Sequence, residues 1–230
     1  MARAGDYVIG VQDMPYAPFS WTKGDEYFGV GRDILDSFAA ARGHQFSYVA
    51  LPYLRNLKGF LAGDFDFQFP EDPAWSNEIK NKSGKRIYYS DALIDYIDGV
   101  SVLSKRGAIG LDELKRMGTI IGFSPVNAYR KRAAQGNLYI YENPVVDGLI
   151  SQLLLGRTDG IYLSIDVVRN HMRRMNMPGA ATFAKHLPYR KSNYKLATIE
   201  HPELMKEFNA FLADSEDLIN KIKASYELNY

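Results

Sequence analysis

The chain has 230 residues, 46% of them hydrophobic, enough for one large domain or two small ones with real cores. Its 28 Lys plus Arg against 27 Asp plus Glu leave no net field directed at nucleic acid or a membrane surface. Cysteine is absent, which excludes disulfides and thiol catalysis, and no run of about 18 apolar residues is present to span a bilayer.

The opening MARAGDY carries no secretory signal. It reads as a start Met on a mature chain, with ARA as a trace of signal cleavage. VIGVQ (8–12) is a short buried-strand candidate that leads into QDMPYAPFSW (12–21). There Pro15 and Pro18 fix φ, so the loop loses little entropy when a ligand orders it. Tyr16, Phe19 and Trp21 offer flat faces, each worth ~0.5–2 kcal/mol against a cationic or planar ligand. The competing reading is that at least one of these rings plugs the core. Asp13 either binds an ammonium group or caps the turn.

GVGRDI (29–34) starts like a dinucleotide fingerprint but lacks the third glycine, which weighs against nucleotide binding. GRDILDSFAAARG (31–43) is a helix with Ile34, Leu35, Phe38 and Ala41 inward and Gly43 as its stop. QFSYVAL (45–51) is a strand by its alternation. LKGFLAGDFDFQF (57–69) then shares a pattern with ISQLLLGRTDGIY (150–162). Leu57, Leu61, Gly63 and Asp66 answer to Ile150, Leu154, Gly156 and Asp159: a helix face, a helix stop, then the start of a strand. PEDPAW (70–75) places Glu71 and Asp72 at a strand end with Trp75 close behind. These carboxylates either pair with a ligand's amine or hydroxyls or cap the next helix.

IDGVSVLSK (97–105) is a strand carrying the chain into a second half, LDELKR (111–116) a short capped helix, and IIGFS (120–124) the counterpart of VIGVQ. In SPVNAYRKR, Asn127 reads as an N-cap with free N–H groups behind it, able to accept a carboxylate or phosphate; structural capping alone is the alternative. The basic AYRKR (128–132) reads as the solvated face of a helix start. HPELMKEFNAFLADSEDLINKIKASYEL (201–228) forms two helices broken near Asp214–Ser215. Having no counterpart in the second half, it packs back onto the first.

Two α/β lobes with mainly parallel sheets follow, divided as 1–96 plus 188–230 and 97–187, with two crossings. In such sheets ligands sit beyond the carboxyl ends of strands. That selects the loops 12–21, 70–75, 124–129 and 163–166, and with them Ser124, Asn127, Ala128, Tyr129 and Asp166 as candidate ligand-binding residues. No G-x-S-x-G, H-E-x-x-H or G-K-[ST] motif is present, and the four histidines show no ligand spacing. No catalytic residue, metal or cofactor is expected.

The order and spacing of YVIGVQDMPYAPFSW, FGVGRDILDSFAAARG, LKGFLAGDFDFQF, IYYSDALIDYIDGVSVLSK, IIGFSPVNAY, LLLGRTDGIYLSID and HPELMKEFNAFL resemble the family 3 extracytoplasmic solute-binding proteins, the polar amino-acid receptors of ABC importers. The resemblance implies a two-lobed type II periplasmic-binding-protein fold. In it, each lobe has a mixed, mainly parallel sheet, two hinge strands join the lobes, and closure on a small solute occurs in an interlobe cleft. It implies a membrane ABC permease as partner, a periplasmic or other extracytoplasmic location, and a monomer. The family's α-carboxylate arginine, seven residues before the Ser of YYSDA, falls on Ser83, with Arg86 out of register. Its ammonium-binding acid falls on Ser164, with Asp166 the nearest carboxylate. Both departures argue against a standard α-amino acid, and Arg55 becomes the replacement candidate for an anionic group, against a surface helix arginine. The helix N-terminus contact carries over to Asn127 and Ala128 through the backbone. Two alternatives stand beside solute delivery. One is a ligand-sensing domain of a membrane receptor or kinase. The other is a cyclohexadienyl-dehydratase-like lyase using Glu71 or Asp166 as acid or base.

Overall fold

The computed structural model describes residues 5–228, so the trace of cleavage read in ARA (2–4) lies outside them. Its first half runs β1 (Asp6–Gln12), β2 (Trp21–Lys23), β3 (Glu26–Phe28), α1 (Val30–Arg42), β4 (Gln45–Leu51), α2 (Tyr53–Ala62), β5 (Phe67–Glu71), α3 (Asn77–Ser83) and β6 (Tyr88–Tyr89). Next come β7 (Ile94–Leu103), β8 (Arg116–Ile120), α4 (Asn127–Ala134), β9 (Tyr139–Asn143), α5 (Val146–Leu154), β10 (Gly160–Ser164), α6 (Ile165–Arg174) and β11 (Ala181–Phe183). The chain closes with β12 (Arg190–Thr198), α7 (Pro202–Asp214) and α8 (Glu216–Ser225). Two units result: one ends at Asp95 and resumes at Asn193, and the other is the continuous stretch Tyr96–Ser192.

In the first unit β4, β1 and β5 are parallel, and β12 runs antiparallel beside β5. In the second, β9, β8 and β10 are parallel, with β7 antiparallel to β10. Helices bury their apolar stripes on these sheets: Ile34, Leu35 and Phe38 from α1, Leu57 and Phe60 from α2, and Leu149, Ile150 and Leu153 from α5. The central strands β5 and β10 are buried along their whole length, as parallel strands covered on both faces must be.

The repeated sequence pattern has a repeated physical cause. α2 and α5 each lead into a glycine at positive φ, Gly63 at 90° and Gly156 at 67°. An aspartate then leads into the next strand and grips a neighbouring parallel strand, β1 or β8, through both its backbone and its side chain. Asp66 donates its N–H to the Val8 carbonyl (3.0 Å) and accepts the Val8 N–H on Oδ2 (2.7 Å). Asp159 does the same with Arg116, at 2.7 and 2.8 Å. Each aspartate thereby fixes the register of a parallel strand pair.

Asp159 also accepts from Arg106 (2.7 Å), Arg116 (3.1 Å) and the Lys115 N–H (3.1 Å). These donors overcome the cost of burial and hold its carboxyl down at about 2, below the ordinary 3.8. A depressed carboxylate contributes stability above its ordinary value and loses it as pH falls through the folded one. Asp159→Asn is therefore expected to cost about 2 kcal/mol at pH 7. The deficit should shrink as pH falls from 3.8 toward 2. Urea unfolding at pH 7 and near pH 3 checks this, and an equal deficit at both would reject the charge as the cause.

Three local expectations are corrected. LDELKR (111–116) is not a helix: Glu113 and Leu114 donate back to Gly110 in a turn, Leu114 plugs the core, and β8 begins at Arg116. The second-half strand covers 116–120, not 120–124, because Gly122 turns the backbone at φ 85° immediately afterward. Asn127 is the first helical residue of α4 and not its cap. Val126, extended at φ −55° and ψ 154°, occupies the cap position, and its carbonyl accepts from Tyr129 at 3.0 Å.

Candidate functional site

The carboxyl ends of β1, β4 and β5 lie at one edge of the first unit's sheet because these strands are parallel. From that edge emerge the loop with Asp13, Tyr16 and Phe19, the start of α2 with Arg55, and the turn with Glu71 and Trp75. Ring contacts join them into a continuous chain. Tyr16 stacks on Phe19 (6.2 Å between centroids) and Phe19 meets Tyr194 edge-on (5.2 Å). Tyr194 meets Trp75 (5.9 Å), and Trp75 meets Tyr53 (5.8 Å). Tyr53 and Tyr194 escaped the sequence reading. Tyr53 stands two residues before Arg55 at a helix start, a signal that was present; Tyr194 arrives on β12 from far along the chain, and no local pattern marks it.

Within this chain of rings, Tyr16 and Phe19 are buried, while Trp75 and Tyr53 are half-buried. Trp21 lies apart on β2, stacked on Phe28 at 5.8 Å. Gly29 shapes the aromatic loop. It precedes α1 at φ 131°, and an added Cβ would stand 2.2 Å from the Phe19 carbonyl oxygen. The glycines of GVGRDI thus serve close packing within the unit, Gly29 against the Phe19 backbone and Gly31 against the Phe69 ring.

Arg55 is the third residue of α2 and is exposed. It forms no ion pair among the described residues. A cation in a first helical turn opposes the helix dipole, by typically 0.3–1 kcal/mol at a surface (an order-of-magnitude figure). The N–H groups of Tyr53 and Leu54 precede any intrahelical acceptor. An anion here would answer both the guanidinium and the helix start. Asp13 is exposed and accepts the Thr22 hydroxyl at 3.0 Å.

Glu71 and Lys80 form a buried ion pair at 2.7 Å, with side chains 1% and 6% exposed. Glu71 Oε1 also accepts the Asp72 N–H (2.9 Å), and Lys80 donates to the Asp72 carbonyl (2.9 Å). Lys80 comes from α3 and also lies 5.5 Å from the Tyr89 ring centroid. Glu71 Oε2 has no partner among the described residues. Burial pushes the Glu71 carboxyl up to about 7 despite the opposing pull of Lys80. The amine paired with Glu71 is thus supplied by the protein itself. Tyr53 is also raised, first by burial and then by the Glu71 charge.

In the second unit, the carboxyl ends of β8 and β10 bear the other candidates. Ser124 and Asn127 are exposed and Ala128 half-buried at the start of α4, where the Asn127 and Ala128 N–H groups precede any intrahelical acceptor. Tyr129 is a core residue: it is 0% exposed, packs edge-on to Tyr162 (5.7 Å) and donates its hydroxyl to the Pro188 carbonyl (2.7 Å). Its position on α4 turns it into the sheet. Asp166 is buried in the first turn of α6, its N–H bonded to the Ser164 hydroxyl. Its Oδ1 accepts from Arg169 at 3.0 Å, and Oδ2 has no partner among the described residues. Burial raises the Asp166 carboxyl, against the pull of Arg169 and Arg173. Among the described residues no group of acids or histidines is placed to hold a metal ion, and no helix is long and apolar enough to cross a membrane.

No protein-family model matches this chain, and no curated protein sequence matches it. Solved structures do. An ancestral arginine-binding protein bound to arginine superposes with a TM-score of 0.73 at 16% identity, over 96% of this chain and 97% of that one. Substrate-binding domain 2 of GlnP from Lactococcus lactis gives 0.70 at 16% identity, over 98% and 97%. A histidine kinase sensor domain similar to periplasmic binding proteins gives 0.73 at 14%, over 96% and 95%. At such identities the likeness establishes the fold, the type II periplasmic-binding fold, over nearly the whole chain.

Proposed function

We propose that this chain is a solute receptor of the family 3 kind. In this reading it captures a small polar solute, amino-acid-like or otherwise anionic or zwitterionic, outside the cytoplasm and delivers it to a membrane ABC permease. The observation that carries the reading is the chain of rings at the carboxyl edge of the first unit's sheet, ending beside an uncommitted arginine at a helix start. Arg55 takes the anionic group, Asp13 an ammonium, and the Trp75 and Tyr53 rings the body of the solute. In the second unit the N–H groups of Asn127 and Ala128 suit an anion equally. The solved arginine-binding relative supports an amino-acid-like ligand.

A binding role is favoured over catalysis by Glu71 because that carboxylate is already paired with Lys80 inside the protein. The sensor-domain neighbour supports a second reading, in which the same site reports a solute to a kinase. Whether the gene encodes a following membrane helix and kinase separates the two.

A thermal-shift screen over amino acids, small carboxylates, amines and sugars tests the proposal. A ligand at a hundred times its dissociation constant adds about 2.7 kcal/mol, which moves the midpoint of a chain this size by roughly 5–11 °C. No shift from any class would discard the reading. Arg55→Ala should weaken the best hit roughly 10- to 100-fold, the worth of a charged hydrogen bond; unchanged affinity would remove Arg55 from the site.

A further inference from the structure

Of the chain's 7 methionines, Met172, Met175 and Met177 fall together where α6 ends. Two hydrogen bonds close that helix: the Asn176 N–H donates to the Arg173 carbonyl and the Met177 N–H to the Met172 carbonyl, both at 2.9 Å. Asn176 supplies the left-handed residue such a stop requires, at φ 55°. In this kind of helix stop the two outermost side chains, here Met172 and Met177, pack against each other. Met175 stands three residues after Met172 and four after His171, so it neighbours both on the helix surface. The Met177 carbonyl accepts from Ala180 at 3.1 Å, which ties down the chain beyond the turn. Met175 and Met177 are 42% and 41% exposed, whereas Met172 is 2% exposed. One tightly bonded turn therefore groups three thioethers, two of them open to solvent.

We propose that this turn is a binding site for a soft monovalent metal ion, Cu(I) or its analogue Ag(I), held by the thioethers of Met172, Met175 and Met177. Thioethers are neutral, polarizable ligands that select Cu(I), whereas harder ions take carboxylate, carbonyl or water oxygens. His171 adds a fourth ligand from the same turn. Its Nε2 lies 3.3 Å from Oδ1 of Asp147 on α5. With Nε2–H given to that carboxylate, Nδ1 keeps the lone pair, which is how carboxylates orient metal-ligating histidines. Charge decides between a monovalent and a divalent ion. The carbonyl end of α6 favours a cation, but Arg173 and Arg174 belong to this last turn and repel a doubly charged ion twice as strongly as a singly charged one. The site shares no residue with the solute edge of the first unit and stands whether or not the proposed transport function does.

The test uses the full chain, labelled at its methionine methyl groups, and three probes: silver nitrate in chloride-free buffer, Cu(I) supplied without oxygen, and Zn(II) as the contrasting ion. Binding is followed by calorimetry and by the methyl NMR signals. Ag(I) and Cu(I) are each expected to bind saturably at roughly 10 μM or tighter. They should move the signals of Met172, Met175 and Met177 and leave those of Met14, Met117 and Met205 in place, and Zn(II) should move none of them. Met175→Leu/Met177→Leu replaces two exposed thioethers by apolar groups of similar volume, a change that folds readily. It should weaken Ag(I) binding roughly tenfold or more. No saturable binding, shifts spread equally over Met14, Met117 and Met205, an equal response to Zn(II), or undiminished affinity in the double variant would each overturn the proposal. The comparison of methyl signals is made on the unaltered protein, so it stands whatever the variant does.

Discussion

Lys80→Met is expected to destabilise the protein by about 3–5 kcal/mol at pH 8, the cost of leaving a buried charge without its partner. For a chain of this length that is a fall in midpoint of roughly 6–20 °C. The loss should be much smaller near pH 5.5. Glu71 already sits at about 7 in the folded protein, above the ordinary 4.5. A raised carboxyl contributes its stability fully below its ordinary value and loses it as pH rises through the folded value. Without Lys80 the burial cost goes unopposed, so the carboxyl rises further and the pH dependence steepens. Tyr53 of α2, Tyr89 of β6 and the neighbouring Asp72 also face this carboxyl, and none of them supplies a countercharge. The double variant Glu71→Gln/Lys80→Met has no buried charge to strand and should recover most of the loss. Urea unfolding at the two pH values decides, and a deficit of the same size at both would show that Lys80 acts through packing alone.

Gly29→Ala is expected to cost more than about 4 kcal/mol, among the largest effects of a single methyl group. The reason is a collision with backbone and not merely an awkward dihedral. At φ 131° the added Cβ meets the Phe19 carbonyl oxygen at 2.2 Å and its carbon at 2.7 Å. Neither can swing away, because Val30 donates to the adjacent Pro18 carbonyl at 3.2 Å. Gly24→Ala is the matched control: its φ is also positive, at 62°, but nothing lies within 4 Å of the new atom. That change should cost only about 1–2 kcal/mol. Thermal unfolding of both variants separates collision from dihedral strain, and equal effects would reject the collision. The Gly29 variant should also lose solute affinity beyond its stability deficit, since the displaced segment carries Tyr16 and Phe19.

Much of the architecture could be read from periodicity and punctuation. The helix ending at Gly43, the strand 45–51, the division of the last segment at Asp214–Ser215 and the paired helix–glycine–aspartate pattern depend on local rules, and those rules held. In α2 and α5 the inner face is carried by Phe60 and Leu153 more than by Leu61 and Leu154. The i, i+3 neighbour thus does the packing that the i, i+4 pattern suggested. Failures came where a tertiary demand outweighed local preference. Leu114 is needed in the core, which pulls LDELKR out of helical form, and α4 starts one residue early, with Val126 rather than Asn127 at the cap position. At the site, the aromatic loop and Arg55 could be named from type and position alone. The Glu71–Lys80 pair could not, since nothing in the sequence says that an amine nine residues downstream folds back onto that carboxylate. Nor could Tyr194, which reaches its neighbouring rings only through the return of β12.

That return also orders events on the ribosome. Residues 96–192 are contiguous and can complete their sheet as soon as they are made. Residues 5–95 must wait for β12 to lie beside β5, and for Phe208 and Phe211 to settle on Phe38, at 5.0 and 5.5 Å. The portion translated earliest is thus finished last, its apolar strands awaiting a partner still inside the exit tunnel. A chaperone that shields nascent chains would find its longest-lived client surface there, and not in the later-made half.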